Sequence, residues 1–273
     1  MVSKYVTYIV RRVVASLIAI FAIITINFIL FRVLPGNPVQ LLFRNPRLTL
    51  EQIKTLEAEF GLDKPLLDQF LIYLANVARG NLGISFFYKT PVINVLIPRL
   101  INSIILVLPA TITAILLGIL TGMIAAWKRA SKTDVAILTT AMGLYSLPTF
   151  WLGGVLILIS IYYIKLPISG MLTYGVTYPD LTSYLADFSR HFILPYTTLT
   201  LVTYGEFTII LRNTLIDVLT EDYIMAARAQ GIPTFRLLSK HALRNAMLPT
   251  ASIIAINLGL VVAGAVLTET VFS

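Results

Sequence analysis

The chain has 273 residues, 57% of them hydrophobic and only 12% charged, with a net charge of +8. The apolar residues come in blocks of roughly 20 to 30 rather than in amphipathic stripes, which excludes an ordinary soluble domain. No cysteine is present, so disulfide, thiolate-metal and thiol-nucleophile chemistry are excluded, and the basic residues form short clusters beside the apolar blocks instead of the extended basic face that nucleic acid requires.

A bilayer's hydrocarbon core is about 30 Å thick and a helix rises about 1.5 Å per residue, so each block is long enough to cross it. Lys4, Arg11 and Arg12 precede the first block, Val13 to about Leu34. It is too long for a signal-peptide core and lacks an A-x-A cleavage site, so it is predicted to stay as a spanning helix. Residues 35–100 are more polar. Thr49 opens a helical pattern through Phe60 with Gly61 as its stop, and a second helix is predicted from about Pro65 to Ala78, closed by Gly80 and Gly83. Further spans are predicted at 101–127, 135–164, 192–211 and 248–268. With a cytoplasmic N-terminus, the inner segments carry Lys128, Arg129, Lys132, Arg212, Arg228, Arg236, Lys240 and Arg244. The outer segment 165–191 carries only Lys165 and Arg190 beside Asp180 and Asp187, and this asymmetry sets the orientation.

Pro109 and Pro148 are predicted to interrupt their spans, as proline removes a helical hydrogen bond and clashes with the preceding turn. Broken helices commonly line transport pathways, although kinks packed against neighbours account for them equally well. Pro148 and Trp151 are therefore pathway or gating candidates. Gly118-x-x-x-Gly122 permits close helix approach. Glu206 is the only acid well inside a span, where it faces a pathway or pairs with a neighbour. Asn102, Asn257 and Tyr145 suit interhelical hydrogen bonding.

The polar interlude from Arg212 to Pro249 is the most informative segment. Thr220 is predicted to cap a short helix with Glu221 and Asp222 in its first turn, Arg228 near its end and Gly231 at the stop, followed by Pro233. A second helix is predicted from Thr234 to Met247, ending at Pro249. Ala226 and Ala227 would let a partner surface approach the backbone, with Tyr223 and Arg228 as larger contacts. An amphipathic helix lying on anionic lipid fits the same charges.

This interlude is similar to the signature of ABC-importer permeases, an EAA-type sequence followed by glycine and later by leucine-proline. Here it reads Glu221-Asp222-Tyr223-Ile224-Met225-Ala226-Ala227-Arg228-Ala229-Gln230-Gly231, then His241 through Leu248-Pro249. Phe31 through Pro38, Phe60 through Leu66, Gly80 through Ser85, Ser146 through Trp151 and Thr268 through Ser273 extend the resemblance over nearly the whole chain, to the dipeptide and oligopeptide branch and its first, B-type permease. Gln230 stands where lysine is usual, and Asn37 and Asn81 where aspartate is common. Similar permeases continue beyond the position of Ser273 through one more spanning helix, so a final helix is expected to be missing here.

The resemblance implies an all-α polytopic transmembrane bundle with a small extracellular helical subdomain. Residues 1–34 would be the cytoplasmic N-terminus and first span, 35–100 the extracellular subdomain, and 101–273 the permease core with its coupling loop at 212–249. It further implies that Glu221, Asp222, Tyr223, Ala226, Ala227, Arg228 and Gly231 couple to one or two ABC ATPase subunits. A second homologous permease, an extracellular substrate-binding protein and membrane lipid complete the partners. The chain has no G-x-x-x-x-G-K-[ST] loop, so it is not expected to be an enzyme or to bind a cofactor, and ATP with Mg belongs to the partner ATPase. Oligosaccharides or nickel chelates are the alternative substrates to peptides. An intramembrane protease would need a nucleophile with a base, or two converging carboxylates, and a channel leaves the coupling signature unexplained.

Overall fold

The computed structural model describes residues 2–33, 63–85, 87–88 and 90–273, so the helix predicted between Thr49 and Phe60 lies outside the described residues. All regular elements among the described residues are helical, beside one isolated bridge between Ile84 and Pro91. In chain order they are α1 (Val2–Val33), α2 (Leu66–Ala78), α3 (Val92–Trp127), α4 (Lys132–Tyr145) and α5 (Thr149–Ile159, prolonged by a π-helical turn Ser160–Ile164). There follow α6 (Leu181–Val218), α7 (Asp222–Ala229), α8 (Thr234–Ala263, with a π-helical turn at Leu237–Ala242) and α9 (Val266–Val271). The all-α polytopic class anticipated from the sequence is the one observed.

The chain divides into two compact units, Met1–Ile97 and Pro98–Ser273. In the first, α1 exposes most of its apolar side chains, as a lipid-solvated helix does. Phe28, buried among its described residues, meets Phe70 and Tyr73 of α2 at ring-centre distances of 5.1 and 5.7 Å. Gly80 and Gly83, with φ of +74° and +79°, turn the chain after α2 into the bridge, where the Val92 N–H donates to the Gly83 carbonyl.

The second unit is organised around α6, which is 38 residues long and carries the largest set of buried side chains. A Cβ on Gly205 would run into the Ala141 carbonyl oxygen of α4. A Cβ on Gly118 would collide with Phe207, and one on Gly122 would stand 3.0 Å from the Thr208 carbonyl. These glycines let α3 and α4 approach α6 with backbones almost touching, which is how helices gain packing energy in lipid. Thr121–Thr208 (2.8 Å) and Tyr196–Thr113 (2.7 Å) add hydrogen bonds between α3 and α6.

Among the described residues three single helices are long and apolar enough to cross a membrane, at Tyr5–Arg32, Val92–Trp127 and Thr234–Ala263. The 135–164 block, predicted as one span interrupted at Pro148, is the pair α4 and α5, which together are apolar enough to span and bend by 101° at the break. Pro148 cannot donate to a continuing helix and disfavours helical dihedrals in the residue before it, and it becomes the extended N-cap of α5 (φ −61°, ψ 135°). Pro109 and Pro249, predicted to break their helices, lie inside α3 and α8, as Pro98 and Pro195 lie inside α3 and α6. One turn before Pro249, the Thr214 hydroxyl of α6 lies 3.0 Å from the Ala246 carbonyl, tying α8 to α6 near the proline. The 192–211 span is contained in α6, whose threonines and tyrosines make it less apolar than the other three.

Before α6, the segment 165–180 is tied down by Asp187. Its carboxylate accepts from the Thr173 N–H (2.7 Å), the Thr173 hydroxyl (2.8 Å) and the Tyr178 hydroxyl (2.6 Å). These donors hold the Asp187 pKa down at about 2. A depressed carboxylate contributes stability above its unfolded pKa and loses it only as pH falls through the folded value. Hydrogen-exchange protection of the Thr173 amide is therefore expected to be equal at pH 7 and pH 5 in the native chain and to fall in Asp187→Asn. Gly205→Leu is expected to cost about 1–3 kcal/mol through overpacking. Gly143→Leu, where an added side chain meets open space, should change stability by about 0.5 kcal/mol or less. Thermal unfolding of the detergent-solubilised protein checks both; equal losses would remove the α4–α6 contact as the cause.

Candidate functional site: the loop between α6 and α8

The predicted short helix exists as α7. Its start differs from expectation, because the Thr220 hydroxyl donates back to the Asp217 carbonyl at 2.7 Å, closing the end of α6 rather than capping α7. The N-cap position falls to Glu221, in extended conformation and without a side-chain cap. Asp222 occupies the first turn, where the helix dipole favours a carboxylate.

The end of α7 is a Schellman turn. The Gly231 N–H donates to the Arg228 carbonyl (3.0 Å) and the Ile232 N–H to the Ala227 carbonyl (3.4 Å), with Gly231 at φ +76°. Only a residue without Cβ adopts that conformation cheaply, which is why glycine stands there. Ile232 packs on the core beneath, and Pro233 opens α8.

α7 has two unlike faces. Ile224 and Ala227 point inward and share a core with Leu211, Leu215 and Ile216 of α6 and Leu237, Ala242 and Ala246 of α8. Ala227, expected to meet a partner, is therefore occupied with this chain's own packing. Glu221, Asp222, Tyr223, Met225, Ala226 and Arg228 are exposed. The Tyr223 hydroxyl accepts from the Asn245 amide of α8 at 2.7 Å, which steers the ring. Arg228, Arg236, Lys240 and Arg244 are exposed on the same loop, giving it a basic surface beside the two acids at the start of α7.

The pathway candidates lie elsewhere. Pro148 and Trp151 stand at the α4–α5 bend, with Trp151 exposed. Glu206 is on α6 about 18 Å from the end of that helix. It accepts from the Asn257 amide of α8 at 3.3 Å, so Asn257 forms the interhelical bond expected of it.

One pair escaped the sequence reading. Asp134, 2% exposed, receives Arg212 bidentately through Nε to Oδ1 (3.1 Å) and Nη2 to Oδ2 (2.7 Å). Its carboxylate also accepts from the N–H of Ala130, whose φ of +62° is left-handed, and its own N–H donates to Ser131 Oγ. The bond clamps the start of α4 to α6, two turns before α7. Arg212 counts in the sequence only as an inner positive charge, yet Ser131-x-x-Asp134 ahead of an apolar run is a capping-box signal that marks this spot. Removing one partner of a buried ion pair costs about 3–5 kcal/mol, because the other charge is left unpaired. Asp134→Asn and Arg212→Gln are each expected to lower the yield of folded protein sharply, and the exchange Asp134→Arg with Arg212→Asp to recover part of it, as read by monodisperse yield in detergent.

Residues 118–273 match the family described as binding-protein-dependent transport system inner membrane component, and residues 5–107 match the N-terminal region described for such membrane components. The chain is 35% identical to the dipeptide transport system permease protein DppB of Escherichia coli K12, covering 97% of this chain and 84% of that protein. It is 32% identical to the oligopeptide transport system permease protein AppB of Bacillus subtilis, over 97% of this chain and 83% of that one. It is 30% identical to the glutathione transport system permease protein GsiC of Escherichia coli O6:H1, over 97% and 82%. An all-helical unit packed on one long helix, ending in a short two-faced helix, together with matches spanning nearly the whole sequence, places this chain in the family of inner membrane components of binding-protein-dependent transport systems.

Proposed function

We propose that the chain is the first of two homologous permease subunits in an ATP-driven importer of di- or oligopeptides. The observation that carries this reading is the construction of α7. It is too short to stand alone, is fixed through Ile224 and Ala227 to the ends of two long helices, and presents Glu221, Asp222, Tyr223, Met225, Ala226 and Arg228 outward. Such a helix suits a cleft on a separate ATPase subunit, since a push on it is passed directly into α6. ATP and Mg are held by that partner, this chain supplying neither a phosphate-binding loop nor chemistry of its own. The relatives' names, dipeptide, oligopeptide and glutathione, favour peptides over oligosaccharides or nickel chelates.

In this reading the N-terminus and the α6–α8 loop face the cytoplasm, as the clusters of Lys and Arg favour. The segment 35–100 and the Asp187 knot face outward, where an extracellular binding protein delivers substrate. Pro148 and Trp151 at the α4–α5 bend are gating candidates.

The two faces of α7 separate the partner's contribution from folding. Ala226→Trp is expected to leave membrane insertion and folded yield normal while abolishing recovery of the ATPase subunits in a mild-detergent pull-down. Ala227→Trp should instead reduce folded yield, because its side chain has no room in the core. Gly231→Val places a β-branched residue at positive φ, costs about 1–2 kcal/mol, and should weaken ATPase recovery without blocking insertion. Full ATPase recovery with Ala226→Trp would refute the assignment of α7 as the coupling helix.

A further inference from the structure

Glu206 is a carboxylate at membrane depth without a charged partner. Its depth follows from α3, because the stretch Tyr204–Thr208 of α6 packs against Gly118. Gly118 is about nine residues before Trp127 at the end of α3, or about 14 Å along a helix that spans the membrane. Among the described residues no lysine, arginine or histidine comes within 4.0 Å of Glu206. Its hydrogen bond is the single donation from Asn257 to Oε2, and its side chain is only partly buried.

An ionisable group in the hydrocarbon region is expensive and persists where it meets water or an opposite charge. A neutral amide on one oxygen leaves the other oxygen and the net charge unanswered. Thr203 and Ile210, one turn before and after on the same face of α6, are also only partly buried, so this face of the helix is not fully covered by the rest of the chain. Resting on the peptide-permease reading above, we propose that this face of α6 lines the aqueous route and that Glu206 is its cation subsite, receiving the ammonium group of a peptide in transit. Asn257 is the positioning residue, fixing one carboxylate oxygen so that the other points to the route. The ammonium comes either from the peptide's α-amino group or from a lysine side chain.

The absence of cysteine in the chain makes the test clean. Thr203→Cys, nearly isosteric, is introduced into the full transporter in native membranes. It is then treated with a trimethylammonium-ethyl or a sulfonatoethyl methanethiosulfonate. After correction for intrinsic reactivity, the cationic reagent is expected to react about tenfold faster, as a negative group lining a cleft concentrates cations. Adding Glu206→Gln should erase that preference, and saturating peptide should slow both reactions. Ile210→Cys repeats the measurement if Thr203→Cys folds poorly. No labelling at either position in the presence or absence of ATP, or a cation preference that survives Glu206→Gln, overturns the proposal. Peptide uptake separates the two ammonium sources. Glu206→Gln slows all peptides alike if the α-amino group binds, and only lysine-containing ones if the side chain does; unchanged uptake of both kinds also overturns it. The labelling does not require an ATPase, so failure of the importer reading shows separately in the pull-down with α7.

Discussion

The close approach of backbones to α6 is the constraint on which the unit Pro98–Ser273 depends. In lipid, burying leucine against leucine gains little over leaving it against acyl chains, so helix association needs van der Waals contact at short range and hydrogen bonds between helices. Gly118, Gly122 and Gly205 supply the first by removing the Cβ atoms that would hold α3 and α4 off. Threonine hydroxyls and the pairs Tyr196–Thr113 and Asn257–Glu206 supply the second. All of these converge on α6, and that accounts for its composition: the helix with the most protein neighbours has the least need to be apolar all round.

A helix held in this way is a natural lever. At one end the Asp187 carboxylate gathers Thr173 and Tyr178, so the segment before α6 is tied to its first turns. At the other end Leu211, Leu215 and Ile216 form one core with Ile224 and Ala227, so α7 is packed onto α6. The Asp134–Arg212 clamp then brings the start of α4 along, and α4 leads into the 101° bend at Pro148. The helix α7 is thus joined to the membrane-spanning part of the unit by packed and hydrogen-bonded helices. Glu206 and Asn257 lie on the two long helices that share that core.

Much of this is written locally. Apolar runs of sufficient length fixed the all-helical, membrane-spanning class, and α7 was legible because its signals are local: two acids at the start, glycine at the stop, proline just beyond. The Schellman turn at Gly231 realises that glycine signal. The inward direction of Ala227 was not legible. Its side chain is as small as that of Ala226, and only the position of the α6 core decides which of the two is buried and which is exposed.

The prolines mark the boundary between the two kinds of information. By itself each proline lacks a donor and crowds the preceding turn, and the sequence determines that cost wherever one occurs. Whether the helix yields depends on what surrounds it. At Pro249 the helix continues, with Thr214 of α6 bonded to the Ala246 carbonyl one turn before it, whereas at Pro148 the chain turns through a wide angle and proline becomes a helix start. The same holds for Arg212, a positive charge in the sequence and a clamp on a buried carboxylate in the fold, because its partner Asp134 is far away along the chain and close only once α4 lies on α6. Composition and local spacing determined that this chain crosses a membrane and carries a short exposed helix; tertiary packing decided which faces are exposed and which charges meet, because those depend on distances between segments that no local pattern encodes.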